Sequence, residues 1–393
     1  MKKLTFIVEN FFVKRDFDRF DLQYYLDNNV EVEVWDITEF SNRNFNKLVV
    51  PKDIIKQDYV KKFKSSEELK DSFKSLKSNG LVAVHVSLNI RTILIFQLLS
   101  KYKINYFTKS GASLKVDPKY GKFSFYRKII NFLERDKKSN IEFFQNLCLR
   151  FLPLNFLKIS DLPIYFKQAK IADKKTDLRK KLLSKKTKII LSHHRDYDLY
   201  LKYKNTDNKK DQSGSVFIDQ NTGFHNDLIK IGEFMDPKEW YDSLTNFFKY
   251  LEKKYLVKTT ICAHPRSNGE INNFVKDYPI IKNKTVELVK NSSFVICQAS
   301  TAINFAALYK KPMIFVYNHV AMKDKKSKIN HAGEVEFYAK AFNKKPININ
   351  YLNDFDLDKE LKIDEEYYDK YISEYLKSWG PKKKISEMTM DLL

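Results

Sequence analysis

Short apolar runs of strand length recur along this chain, and segments with helical spacing of apolar residues lie between them. Residues 4–9, 30–35, 81–88 and 104–108 are such runs in the first half; 187–192, 215–218, 259–263, 294–297 and 312–317 repeat the pattern in the second. Residues 30–35 alternate Val and Glu with period two, whereas 17–28, 90–102 and 237–255 place apolar residues three and four apart. Strand–helix–strand alternation predicts parallel sheets with right-handed crossovers, because a parallel pair needs a helix to bring the chain back. A chain of 393 residues is too long for one ordinary core and suits two. The expected class is therefore α/β, with two Rossmann-like lobes and a cleft between them.

The division predicted is a first lobe over 1–170, a second over 180–350 and a helical segment over 351–393 that can cross back to the first lobe. Within the first lobe, 122–157 is dense in Phe, Ile and Leu, with Arg127, Lys128, Arg135, Lys137, Lys138 and Arg150 interleaved. Helices packed on the sheet are the preferred reading of that insert; a helix lying in a membrane interface is its rival. Residues 161–186 read as the link between lobes, and 365–378 as one long helix.

Composition removes several functions. Only 9 residues are Gly, and neither a dinucleotide fingerprint nor a Walker sequence occurs, so kinase, P-loop and classical dehydrogenase readings fall. Cys148, Cys262 and Cys297 are too far apart for a zinc knuckle, and no metal site is expected. The uncharged run 291–309 contains too many Ser, Thr and Asn residues for a lipid-exposed helix. With no signal peptide read at the start, the expected location is cytoplasmic, extending to the inner face of the plasma membrane. The net charge of +22 is mostly solvated lysine, and it also favours encounter with anionic ligands or an anionic membrane. No motif supports nucleic-acid binding.

Chemistry-bearing residues fall at strand ends. Ligands of parallel sheets bind there, which puts Glu9, Asn10, His85, Ser87 and Ser110 of the first lobe near the cleft. In the second lobe, 259–263 ends in His264-Pro265-Arg266, and Pro265 holds His264 in extended backbone. An imidazole there can donate to a phosphate oxygen or protonate a leaving group. About three dozen residues on, Ser300 and Thr301 are expected at a helix N-cap, where free N–H groups and the macrodipole attract an anion without glycine. Asp219 and His225, in the loop 217–227 that follows another strand, are side chains able to take up a proton. His194 and Arg195 follow another strand, and an arginine can hold an acidic group bidentately. Asp16-Phe17-Asp18 and Asp196-Tyr197-Asp198 match a metal-binding DxD text, as chance allows in a chain with this many aspartates, and are discounted.

The HPRS at 264–267 and TVELVKNSSFVICQASTAINFAALYKKPMIFVY at 285–317 resemble the nucleotide-binding lobe of two-lobed GT-B glycosyltransferases. Among these the chain looks most like bacterial CMP-sugar transferases of the sialic acid and Kdo type, which act in surface polysaccharide synthesis. The resemblance is clearest over 215–320. It implies that His264 binds or protonates the donor phosphate, that Ser300 and Thr301 hold it, and that Asp219 deprotonates the acceptor in an inverting, metal-independent displacement. Glycine is missing after 300, and Asn304 stands where UDP-sugar enzymes place a ribose-binding Glu; Glu287 is the substitute. His194, Arg195 and Asn10 are assigned to the acidic sugar or acceptor. The implied partners are a CMP-sugar donor, with no further cofactor, a glycan or lipid-linked glycan acceptor, and peripheral contact with anionic membrane. A CDP-glycerol glycerophosphotransferase and a UDP-sugar 2-epimerase of the same architecture are the alternatives.

Overall fold

The computed structural model describes residues 2–43, 45–76, 80–110, 137–168, 178–206, 214–225, 236–318, 331–377 and 383–393. Two parallel sheets organise them. The first comprises β1 (Lys3–Val8), β2 (Glu31–Asp36), β3 (Val60–Lys62), β4 (Gly80–His85), β5 (Tyr106–Lys109), β6 (Ile164–Lys167) and β7 (Lys188–Leu191), in the order β3-β2-β1-β4-β5-β6-β7. The second comprises β8 (Ser215–Ile218), β9 (Thr259–Ala263), β10 (Ile280–Lys282), β11 (Phe294–Cys297), β12 (Met313–Tyr317) and β13 (Ile347–Asn348), in the order β10-β9-β8-β11-β12-β13. Both orders run outward from the first strand, reverse, and run outward on its other side. The crevice at that reversal lies between β1 and β4 in one sheet and between β8 and β11 in the other. The expected class, two Rossmann-like α/β lobes, is the one found.

One strand changes lobe. The run read as the opening of the second half, β7, pairs with β6 in parallel, Ile164 opposite Lys188 and Lys167 opposite Leu191, and so closes the first sheet. Period and propensity are local properties and carry no information about which edge a strand joins.

Each sheet buries both faces, as parallel sheets must. Leu4, Phe6, Val34 and Phe166 pack on one face of the first, and Ile7, Val84, Phe96 and Leu99 on the other. On the second sheet the helix Pro237–Tyr255 buries Trp240, Tyr241, Leu244, Phe247, Phe248 and Leu251 completely, at the three- and four-residue spacing the sequence shows. Each such side chain contributes about 1.5–3 kcal/mol of burial. That helix starts with Asp236 accepting from the Lys238 N–H and Pro237 in the first turn. Gly214, with φ +91°, enters β8 where a Cβ would stand 2.5 Å from the Lys258 carbonyl, so only glycine fits.

The segment read as one helix over 365–378 is helical over its described part: Glu365–Tyr371 continues without a break as a π-turn over Ile372–Leu376, and the final helix Ile385–Met390 stands apart. Tyr368, Tyr371 and Leu376 belong to a core of the second lobe. Ile385 and Met388 pack instead with Leu4 and Phe6 in the first, and Ser386 donates to Asp21 at 2.7 Å. Of the basic aromatic insert, 122–136 lies outside the described residues; Lys137–Phe151 is a helix held by Glu142 on Arg91 and by Asn146 on the Ile90 N–H.

Candidate functional site

A pocket of about 840 Å3, part of it open to solvent, lies at the carboxyl ends of β8, β9 and β11. Its wall is assembled from the residues that follow those strands: Asp219 after β8, His264 and Pro265 after β9, Ser300 and Thr301 after β11. Glu287, in the first turn of the helix Thr285–Asn291, completes this side. Six of the residues singled out in the sequence are thus gathered in one place, at the crevice where parallel sheets take ligands.

His264 is buried between cationic groups. Burial first, then His225, Arg15, Arg266 and Arg19, holds its imidazole well below the usual histidine range, so it is neutral at pH 7. Its Nδ1 accepts from the Arg266 backbone N–H at 3.2 Å, which leaves the proton on Nε2. The ring therefore offers a hydrogen-bond donor, not a spare charge. The His225 ring centroid is 4.8 Å away, at 63°.

Asp219 is 2% exposed, and both its oxygens are engaged. Tyr241 donates its hydroxyl to Oδ1 at 3.0 Å, the Asn221 N–H donates to Oδ2 at 3.0 Å, and the backbones of His264 and Gln220 add further bonds. Burial pushes its carboxyl up to about 6 against those donors. The loop it ties down turns through Asn221 at φ 56° and Gly223 at φ 84°, which explains the Asn-Thr-Gly text there. Asn226 and Asp227 of the same motif lie outside the described residues.

Ser300 and Thr301 are on the wall, but not as helix caps. The helix begins at Ile303 with Ala302 as its N-cap and no side-chain cap bond. Ser300 sits one turn earlier, where its Oγ accepts from the Ala302 N–H at 3.2 Å. Asn304 is turned away from the pocket: it donates to Asp196 at 2.8 Å and accepts from the Tyr371 hydroxyl at 2.6 Å, both buried. It is a structural tie between helices, not a stand-in for a ribose ligand.

The remaining candidates fall elsewhere. His194 caps the helix Arg195–Tyr203, its Nδ1 accepting from the Asp196 N–H at 3.1 Å, and lies off the pocket wall. Asp198 accepts from the Ile385 N–H, which ties the final helix down. Asn10 follows β1, half-buried and off the pocket wall. Its neighbour Glu9 accepts from the hydroxyl and N–H of Ser87. Arg266 is beside the pocket, with Nη2 3.8 Å from Asp16.

Sequence reasoning missed the first lobe's share of the wall. Arg15, Asp18 and Arg19, from the helix Lys14–Arg19, face the same space. The available signal was their position: a charged run directly after the first strand of a parallel sheet lies in the loop that looks into the cleft. The aspartates of that run had been set aside as a chance metal motif. Asp16 instead accepts from the Arg15 guanidinium at 2.8 and 3.1 Å. Loop 50–53 clasps the second lobe beside the cleft, with Lys52 N–H on Asn268 and Asp53 on Lys282 at 3.0 Å.

No protein-family model matches this chain, and no curated protein matches it in sequence. Solved structures resemble it in architecture. The UDP-GlcNAc 2-epimerase of Methanocaldococcus jannaschii, in complex with UDP-GlcNAc and UDP, is 12% identical with a TM-score of 0.47, over 100% of this chain and 99% of that one. The Neisseria meningitidis UDP-GlcNAc 2-epimerase bound to UDP-GlcNAc is 15% identical, TM-score 0.44, over 95% and 98%. A spinosyn rhamnosyltransferase complexed with thymidine diphosphate is 9% identical, TM-score 0.43, over 87% and 85%. At such identities these neighbours do not speak to the ligand or the reaction of this chain.

Proposed function

We propose that this chain is a nucleotide-sugar-dependent enzyme, and that it transfers an acidic sugar from a CMP donor to a surface glycan. The observation that carries the reading is the convergence of His264, Ser300, Thr301 and Glu287 with the first-lobe arginines on one pocket at the sheet's switch point. In this reading the Nε2–H of His264 and the hydroxyls of Ser300 and Thr301 hold the phosphate, and Glu287 meets the ribose. The acceptor oxygen attacks the anomeric carbon, the bond to the phosphate oxygen breaks, and CMP leaves with its charge stabilised by those donors. Asp219, with both oxygens occupied, positions His264; His225 is the base that takes the acceptor proton.

A second reading, a UDP-sugar 2-epimerase, draws support from a specific observation. Asp18, Asp219 and Glu287 place three carboxylates on the pocket wall, and such an enzyme needs acid–base groups around the sugar. Contact with an anionic membrane is proposed for the helix Lys137–Phe151 and the turn after it, where Ile141, Leu147, Phe151 and Phe156 are exposed beside Arg150. Among the described residues no helix is long and apolar enough to cross a membrane.

The test is thermal-shift binding of CMP, CDP, UMP and UDP to the wild type and His264→Ala. Stabilisation by the cytidine nucleotides, lost in the variant, is expected. Release of CMP from a CMP-linked acidic sugar, set against CDP-glycerol, then separates glycosyl from glycerophosphoryl transfer. Preference for UDP, with solvent deuterium entering UDP-GlcNAc, would establish the epimerase instead. No shift with any nucleotide would remove both.

A further inference from the structure

The first lobe presents the pocket with guanidinium groups. Arg15 and Arg19 lie on its wall. Arg15 donates through Nε and Nη2 to one oxygen of Asp16. Arg19 has Nη2 3.0 Å from Asp196, with side-chain exposures of 11% and 0%. Arg195, the first residue of the helix Arg195–Tyr203, is half-buried next to Asp196, whose carboxylate Arg19 already engages. Burial first, and then the neighbouring Arg19, pushes its guanidinium down to about 10; Asp196 opposes the shift and Arg15 adds to it.

Three guanidiniums therefore share two carboxylates, Asp16 and Asp196, and a fourth, that of Arg266, also approaches Asp16 at 3.8 Å. Asp18, also on the wall, is matched by Lys14 at 2.9 Å. Half-buried positive charge in excess of its counter-charge is unfavourable by itself, because burial removes hydration that only a partner replaces. A guanidinium's fork of N–H donors is suited to the paired oxygens of a carboxylate or phosphate.

We propose that Arg15 and Arg19, on the pocket wall and backed by the charge of Arg195, form a second anion subsite, on the first lobe's side of the cleft, for a carboxylate or phosphate group of the ligand whose first phosphate the second lobe holds. The inference rests on the nucleotide reading above and adds to it that the ligand is anionic at two points and bridges the lobes. A nucleoside monophosphate alone would fill only the second-lobe half of the site. A nucleoside diphosphate, or a monophosphate ester of an acidic sugar, would fill both.

Calorimetric titration of CMP, CDP and CMP-N-acetylneuraminic acid into the full chain, its Arg15→Gln and its Arg195→Gln variants tests this. Arg19 is left intact because its loss would orphan buried Asp196. In the wild type, CDP or the CMP-sugar is expected to bind at least about tenfold more tightly than CMP, as one added charged contact implies. In either variant that ratio falls to about twofold, while CMP affinity itself changes less than about threefold. Greater loss for the CMP-sugar than for CDP identifies a carboxylate as the natural occupant; the reverse identifies a phosphate. Ratios unchanged in both variants, or equal binding of CMP and its doubly anionic relatives by the wild type, overturn the subsite. Should Arg15→Gln not fold, Arg15→Lys keeps the charge without the fork and must still reduce the ratio. If no nucleotide binds, the functional reading fails separately. The subsite then stands only if inorganic pyrophosphate binds the wild type and not Arg15→Gln.

Discussion

The guanidinium of Arg19 stands 3.0 Å from the carboxylate of Asp196, joining a helix of the first lobe to one packed on the second. Asp196 is fully buried, and its other oxygen accepts from Asn304, whose own carbonyl oxygen accepts from Tyr371. A polar chain thus runs from the pocket wall, through the lobe interface, into the core beneath the C-terminal helices. A buried ion pair is worth little compared with a well-packed apolar replacement, but removing one partner leaves a charge stranded in low dielectric.

Arg19→Ala should therefore lower stability by about 3–5 kcal/mol in urea unfolding. The double substitution Arg19→Ala with Asp196→Ala should cost clearly less than the sum of the single ones. Additive losses in the double-mutant cycle would show that the pair is not energetically coupled.

Acid should weaken the same link. Burial by itself would raise the Asp196 carboxyl, but Arg19, then His194, Arg195 and the Asn304 amide, outweigh it and hold it at about 2. A carboxyl depressed in the fold stabilises above its unfolded value, near 3.8, and loses that contribution as pH falls from there towards 2. The amount is on the order of 2 kcal/mol. Asp196→Asn should flatten the stability profile between pH 4 and pH 2, measured by denaturant midpoints; a profile as steep as the wild type's would refute the assignment.

His264 is neutral in the free site because burial, His225 and the arginines disfavour its cation. A bound phosphate reverses that balance, so its pKa rises on binding. Nucleotide affinity should accordingly increase as pH falls from 8 to 6, by up to about tenfold per unit, with uptake of as much as about one proton. Calorimetry in buffers of different ionisation enthalpy reads the proton directly, and His264→Gln should abolish the uptake. Binding that is independent of pH in the wild type would refute the proton uptake and leave a neutral imidazole that meets the phosphate only through its Nε2–H.

Asn304→Ala separates architecture from ligand binding. Two buried hydrogen bonds are lost, so stability should fall by about 1–3 kcal/mol. Nucleotide affinity at saturating folded protein should stay within about twofold. A large loss of affinity with an unchanged melting temperature would return Asn304 to the ligand.

Much of the second lobe is legible in the text. Residues 215–218, 259–263, 294–297 and 237–255 are read with the bounds they have in the structure, because apolar runs and helical spacing are local signals that packing here leaves intact. The residues following β8, β9 and β11 could be placed on one edge for the same reason: in a parallel sheet all carboxyl ends lie together. His264, Ser300 and Thr301 are on the wall accordingly. The places of His194 and Asn304 were not legible in the same way, because a polar side chain in a ligand's reach and one that satisfies a buried partner look alike in sequence.

The order of apolar runs and helical periods determined by itself that the chain forms parallel α/β lobes, since strand length, period and crossover all depend on near neighbours. Tertiary structure alone decided that β7 closes the first sheet, that Ile385–Met390 returns to the first lobe, and that Arg15 and Arg19 meet His264 across the cleft. Those contacts join residues from 245 to more than 360 positions apart, or choose between equivalent sheet edges. Nothing in a local window distinguishes them; only the burial of complementary surfaces and charges does.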